Sequence, residues 1–500
     1  MNKLKNTYSG IFRDGGAGRL AKKRYRLRRK ILLDKENILM AITGVPYGPG
    51  QETVWAYAHC PTYQEPAIMY LTGINQSNVI LLLDPYSSES DEILFVSKKD
   101  LSKEFWDGIR FGVGDSKSIR EVQRVTGIKD IRDIDDFDEV LKGRFKKQRS
   151  KRLGTLWMEG TRGKKVVEIK TDHNWNFKKR LVRNLPSKDP SSLLRNIMKN
   201  HFELRLPLDS YDVKNTLVAE KITGKGFVET LKNFNLFNSE YQVQGFLEGR
   251  MLEKSSYGLS FPSIIASGHN ATVLHYMKND DGFKKNEMVL MDFGVRWMTM
   301  HADISRTVPA SGKFNPMQKM LYEIVLKAQL AVQRKARSGI AIDDLNDCCW
   351  SSINRDLDMI FKSAGGKMKL RYKDRPHGVS HLMGEQEHDG DPFRNYLSEP
   401  MQEGWFITNQ PTFLHGFITN QPTFLNYLSE PMQEGWLISN EPGLYGSFKI
   451  RLNGKSYDEE IGIRIEDNLL ITKTGCKNLS SSIPKTVRQI EKLMGTQRDE

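Results

Sequence analysis

The sequence predicts an α+β protein of two domains. An N-terminal α/β domain spans residues 20–190 and a larger C-terminal domain spans 191–500. Three observations carry this. The chain has 500 residues, too many for one domain of ordinary size. Short apolar runs alternate with helical stretches as far as Lys188-Asp-Pro-Ser-Ser192, whose composition marks a boundary. Beyond it, long helical patterns lead into a strand-rich region from about Ile264.

Composition excludes several classes. No apolar run reaches the ~18 residues of a transmembrane helix. The four cysteines (Cys60, Cys348, Cys349, Cys476) form no CxxC, which excludes a disulfide scaffold and a thiolate zinc site and suits a reducing, cytoplasmic setting. The formal charge of +14 is uneven: residues 1–30 carry net +10, residues 142–183 net +12, and the rest net −8. An acidic body with two basic segments is unlike a nucleic-acid reader built on one basic face, so both runs read as solvated surface, with neither nucleic acid nor membrane as a specific partner. Residues 1–19 read as a flexible basic start leading into a basic helix. They lack the apolar core of a secretory signal, but their Arg-rich, acid-poor composition is also that of a mitochondrial transit peptide.

Taken in order, Asn37–Thr43, Asn78–Leu83 and Ile93–Val96 are short apolar runs suited to buried strands. Tyr211–Asn233 and Glu240–Glu253 read as helices. Asn315-Pro316 starts an amphipathic helix, Asn at the cap and Pro in the first turn, with Met317, Met320, Leu321, Ile324, Val325, Ala328 and Val332 as its core stripe and Gly339 as its stop. Asn395–Trp405 is then repeated as Asn426–Trp436, and Phe406–Leu414 as Phe417–Leu425, so that residues 395–425 form a duplicated insertion within one domain. The three versions end differently: Gln410 and Gln421 stand in the first two, Glu441 in the last. An amide is a poor replacement for a carboxylate metal ligand, so only the last copy suits a metal site.

The chemistry lies in polar residues set into apolar strands. Asp292 interrupts Met288–Phe293, and Asp303 follows eleven residues later, so a hairpin would bring the two together. Buried carboxylates facing one another repel, and a metal ion resolves the conflict. His377, His381 and His388 fall within twelve residues, although the chain has only ten histidines. Glu441 ends an apolar strand, and in Ile461–Ile471 the residues Gly462, Arg464 and Glu466 share a face opposite Ile461, Ile463 and Ile465. Asp, Asp, His, Glu, Glu is an oxygen-rich set suited to hard divalent ions and large enough for two. Two such ions ~3.5–4 Å apart hold a bridging hydroxide and polarise a carbonyl.

These segments resemble the pita-bread metallopeptidases, most closely the Xaa-Pro aminopeptidases (aminopeptidase P), with prolidase as a close relative. The resemblance rests on Ser267–Tyr276, Met291–Gly294, Ala302–Thr307, His377–His381, Asn440–Tyr445 and Gly462–Asp467, in family order over roughly 260–470. The tail Ile483–Met494 is similar to the ending of that family, and Tyr70-Leu-Thr-Gly73 and Phe105-Trp-Asp-Gly108 are similar to its N-terminal domain. The chain departs from the pattern after His388, where it reads Asp389-Gly-Asp-Pro392.

The resemblance implies a pita-bread (creatinase/aminopeptidase-like) catalytic domain that releases the first residue of peptides with proline second, by a hydroxide bridging two divalent metals. Asp292 would hold one ion, His381 and Glu441 the other, and Asp303 and Glu466 would bridge both. Glu441 would also move the proton to the leaving nitrogen. His275, His377 and His388 would line the proline side, His388 near the scissile carbonyl, with Tyr445 and Arg464 behind them. Manganese is the expected metal, with cobalt or zinc compatible, and a homo-oligomer (dimer or tetramer) is the expected state. The same pattern leaves open an Xaa-Pro dipeptidase, or a metal-free pita-bread domain that reads peptides.

Overall fold

The computed structural model describes residues 19–46, 64–162, 165–168, 170, 173–255, 257–371, 375–389 and 431–495. Cys60 and the duplicated stretch 395–425, with Gln410 and Gln421, lie outside them. The chain divides into two compact units, the first ending at Arg205 and the second beginning at Leu206.

The first unit holds a six-stranded mixed sheet in the order Asp130–Asp133, Glu92–Val96, Val79–Leu83, Leu39–Thr43, Leu153–Thr155, Leu194–Asn196. Its central strands pair antiparallel and its outer ones parallel. Leu39–Thr43 and Val79–Leu83 are buried at every position, which is why they read as continuous apolar runs. Phe137, Leu141, Phe145, Phe177 and Leu181 from two helices pack against Phe95 and Leu82.

In the first basic run Lys22, Lys23, Arg26 and Lys30 are exposed, as a solvated surface requires, but two arginines depart from that reading. The described part of the run lies in the helix Arg19–Glu36, and Arg29 within it is fully buried. The Arg29 fork donates to both oxygens of Glu92 at 2.8 and 2.9 Å, and to the carbonyls of Leu71 and Thr126 at 2.8 and 3.0 Å. Arg28 is buried as well, and Arg144 of the second run is buried beside Asp84.

The second unit opens with the helices Ser210–Lys232 and Glu240–Leu252, close to the expected spans. Four antiparallel sheets follow among the described residues: Ile264–Ser267 and Ile304–Pro309 flank Met288–Phe293; Arg296–Trp297 pairs with Met300–His301; Gly443–Leu452 lies between Lys367–Leu370 and Lys455–Arg464; and Leu382–Met383, Leu437–Asn440, Asp467–Ile471 and Cys476–Asn478 lie side by side. The helix Pro316–Lys335 starts in a reciprocal capping box between Asn315 and Gln318 and buries Met317, Leu321, Ile324, Val325, Ala328 and Val332. It stops at Lys335. Gly339, expected as its stop, instead occupies a left-handed position (φ 88°) in the turn beyond.

Candidate metal centre

The hairpin between Met288–Phe293 and Ile304–Pro309 sets the first carboxylates. Its register puts Asp292 opposite Ser305, and directly opposed residues share a face. Asp303 lies two residues before Ser305, so by strand alternation it points the same way. Gly294 permits the close approach here: a β-carbon on it would lie 1.8 Å from the Ala302 carbonyl oxygen.

Glu466 comes to the same face from the end of Lys455–Arg464. Its N–H donates to the Ser305 carbonyl at 3.0 Å, and its Oε2 accepts from the Ser305 hydroxyl at 2.8 Å. His381 and Glu441 sit on neighbouring backbone. The Glu441 N–H donates to the Val379 carbonyl at 2.9 Å, and Ser439 receives the His381 N–H at 2.9 Å while donating to Glu441 Oε1 at 3.2 Å. His381 Nε2 then lies 3.4 Å from Asp303 Oδ2 and 3.6 Å from Glu441 Oε1. One ligand atom each from Asp303, His381 and Glu466 falls within 4.8 Å of the others.

Arg464 ties Asp292 to this group. Its Nη2 donates to Asp292 Oδ2 at 2.6 Å and its Nε to the Ser305 hydroxyl oxygen at 2.8 Å. Its ion-pair partner is thus Asp292, while Ser305 bridges it to Glu466 by hydrogen bonds.

The centre is over-supplied with negative charge. Four carboxyl groups (Asp292, Asp303, Glu441, Glu466) face two cationic partners, Arg464 and His381. Burial, opposed by Arg464 and reinforced by Asp303, pushes Asp292 up to about 6. Burial pushes Glu441 up to about 7 against the pull of His381 and Arg464. Burial and the surrounding acids push Glu466 well above the carboxylate range. Burial disfavours a charged His381, but Asp303 and Glu441 outweigh it and raise the imidazole to about 9. Asp292 Oδ1 and Glu466 Oε1 are buried without a hydrogen-bond partner. An unpaired buried carboxylate costs several kcal/mol, so lone oxygens aimed into an acidic pocket with one imidazole fit hard divalent cations.

Imidazoles form one wall. The His388 ring stacks on that of His381 with centroids 3.9 Å apart and planes 6° from parallel. His377 Nε2 lies 3.1 Å from the Tyr445 hydroxyl, which receives Arg464 Nη1 at 3.4 Å. Trp350 meets the His377 ring edge-on at 5.3 Å. Burial, and after it the positive charge of Arg464, lowers His275 and His377 to about 3, so both are neutral at ordinary pH. His275 joins the group through these charge interactions and through the carbonyl of its neighbour Leu274, which receives Arg464 Nη1 at 3.5 Å.

Three residues escaped the sequence reading. Ser305 and Ser439 each lie two positions from a singled-out residue, Asp303 and Glu441, and strand alternation was the signal that would have found them. Glu387 Oε1 lies 3.3 Å from His388 Nε2, and burial together with Asp292 pushes its carboxyl up to about 7 against the pull of His381. Nothing in its irregular segment distinguishes Glu387 by periodicity.

Residues 214–473 match metallopeptidase family M24. The chain belongs to that family. Residues 22–153 match the aminopeptidase P N-terminal domain. The Xaa-Pro aminopeptidase 3 of Mus musculus is 25% identical over 86% of this chain and 76% of its own length. The Xaa-Pro aminopeptidase of Haemophilus influenzae is 26% identical over 87% of this chain and 89% of its own. The structure of a putative aminopeptidase P from Bacillus anthracis aligns with a TM-score of 0.73 at 25% identity, covering 96% of this chain and 99% of that one. The M24 match makes the protein a hydrolase of the metallopeptidase class, and the expected pita-bread domain behind an aminopeptidase P-like N-terminal domain stands.

Proposed function

We propose that this metallopeptidase removes the N-terminal residue from peptides with proline in second position, using two divalent ions, with manganese the first choice. The observation that carries the reading is the cluster of Asp292, Asp303, His381, Glu441 and Glu466 with its two unpartnered carboxylate oxygens. The names of the mouse and Haemophilus relatives support the substrate class.

Asp292 would hold one ion, His381 and Glu441 the other, and Asp303 and Glu466 both. Bound there, the ions would supply Lewis acidity toward a peptide carbonyl and a water. The remaining work falls to the chain. The Ser439 hydroxyl fixes Oε1 of Glu441, whose carboxylate would take up a proton there. Glu441 would carry that proton to the leaving proline nitrogen. His388, braced against His381, would hydrogen-bond beside the scissile carbonyl. His275, His377 and Tyr445 would present an uncharged wall to the proline ring, with Arg464 behind. An Xaa-Pro bond has no amide N–H, so recognition falls to shape and ring contacts.

The test compares Xaa-Pro-Yaa tripeptides, Xaa-Pro dipeptides and Xaa-Ala-Yaa tripeptides in the presence of manganese and after chelation. Metal-dependent release of Xaa from the first set is expected. Cleavage of dipeptides alone would replace this reading with a dipeptidase, and peptide binding by metal-free, inactive protein would replace it with a binding module.

A further inference from the structure

The segment Ile483-Pro484-Lys485 lies behind the metal centre and takes no part in the chemistry above. Arg306, fully buried three residues after Asp303, spreads its guanidinium over it. Nε donates to the Pro484 carbonyl at 2.9 Å, Nη2 to Asp467 Oδ1 at 2.7 Å and to the Ile483 carbonyl at 3.4 Å. Nη1 donates to the Ser305 carbonyl at 2.9 Å and to the carbonyl of Glu466. Lys485 Nζ donates to the second oxygen of Asp467, which also receives Asn478 Nδ2 at 2.7 Å, and to Gln329 Oε1 at 2.9 Å. Separately, the backbone carbonyl of Gln329 receives Asn440 Nδ2 at 3.0 Å. Tyr322 anchors the Lys485 carbonyl at 2.7 Å.

One buried network thus grips the backbone of Glu466 and of its hydrogen-bond partner Ser305. Buried ion pairs of this kind add little net stability, because desolvation offsets their attraction. What a planar guanidinium fork adds is geometry, since it fixes several acceptors at once. Geometry is what Glu466 lacks on its own. One of its oxygens has only Ser305 and the other has no partner, so its place depends on its backbone. A carboxylate shared between two cations tolerates errors of only about 0.5 Å.

We propose that Lys485 is a positioning residue for the metal centre: through Asp467 and Arg306 it fixes the backbone of Glu466. The proposal rests on the metal-binding half of the function proposed above and is independent of which peptide is cut.

The experiment titrates metal-free wild type, Lys485→Met, Lys485→Arg and Tyr322→Phe with Mn²⁺ by calorimetry, with circular dichroism to check folding. Loss of a residue that supports metal ligands weakens binding about 10–100-fold, and that weakening is expected for Lys485→Met. Lys485→Arg should recover most of it, and Tyr322→Phe should weaken binding a few-fold. Folded Lys485→Met with wild-type affinity overturns the positioning role. If Lys485→Met does not fold, folded Tyr322→Phe with wild-type affinity overturns it. Wild type that binds two ions but leaves Xaa-Pro-Yaa peptides uncut overturns the substrate reading alone. Wild type that binds no Mn²⁺ overturns both.

Discussion

Arg464 and Asp292, 172 positions apart in the chain, meet through a 2.6 Å ion pair, and the same guanidinium reaches Ser305 and Tyr445. Its charge is held well above the usual arginine range by Asp292, Tyr445 and Glu441 against the cost of burial. Lysine carries the charge but not the fork, so Arg464→Lys keeps one contact at a time. We expect folded protein whose manganese affinity and kcat/KM fall about 10–100-fold. Calorimetry and tripeptide kinetics check this, and wild-type values in both would show that Arg464 only neutralises charge.

The raised carboxyl groups set a pH dependence. Asp292 at about 6 and Glu441 at about 7 lie above ordinary carboxyl values, so the folded metal-free protein binds more protons there than the unfolded chain. Their contribution to stability is complete below about pH 4 and is lost as pH rises through 6 and 7. Metal ions compete with those protons and with the His381 proton, lost near 9, so their affinity rises over the same range. The increase in Tm produced by manganese should therefore grow steadily from pH 5.5 to pH 8. A constant increase across that range would show that these groups do not change protonation on binding.

Asp303 and Glu466 are the carboxylates assigned to both ions, and each has a structural role that a neutral amide keeps in part. Glu466→Gln retains the Ser305 hydrogen bond and Asp303→Asn retains the backbone bonds of Asp303 to Asn468. Both variants should fold. Each should lose activity and drop from about two bound ions per chain toward one or none, read by elemental analysis. Full turnover in either variant would remove that residue from its bridging role.

Much of this centre was legible because carboxylates in buried strands contradict their surroundings. Asp292 stands out inside Met288–Phe293 for that reason, and strand alternation placed Arg464 and Glu466 on one face before any coordinates. The sequence did not reveal the pairing of Arg464 with Asp292, because partners far apart in the chain leave no periodic trace. Ser305 and Ser439 were missed because a hydroxyl in a strand has many ordinary uses. The basic N-terminal helix misled for the opposite reason. Charge density alone does not show that two of its arginines turn inward, since the carbonyls of Leu71 and Thr126 that receive Arg29 come from distant segments.

That inward turn gives the last prediction. Arg29 is fully buried and is the ion-pair partner of Glu92, whose side chain is itself only 12% exposed. Removing one member of a buried pair leaves the other charged and desolvated, at a cost of about 3–5 kcal/mol. Two backbone carbonyls would lose their donor as well. Arg29→Met should therefore lower the stability of the first unit by about that amount, read from denaturant unfolding. Lys23→Met on the exposed side of the same helix should change stability by no more than about 0.5 kcal/mol. Equal effects of the two substitutions would mean that the helix contributes through its general basic charge and not through the Arg29 pair.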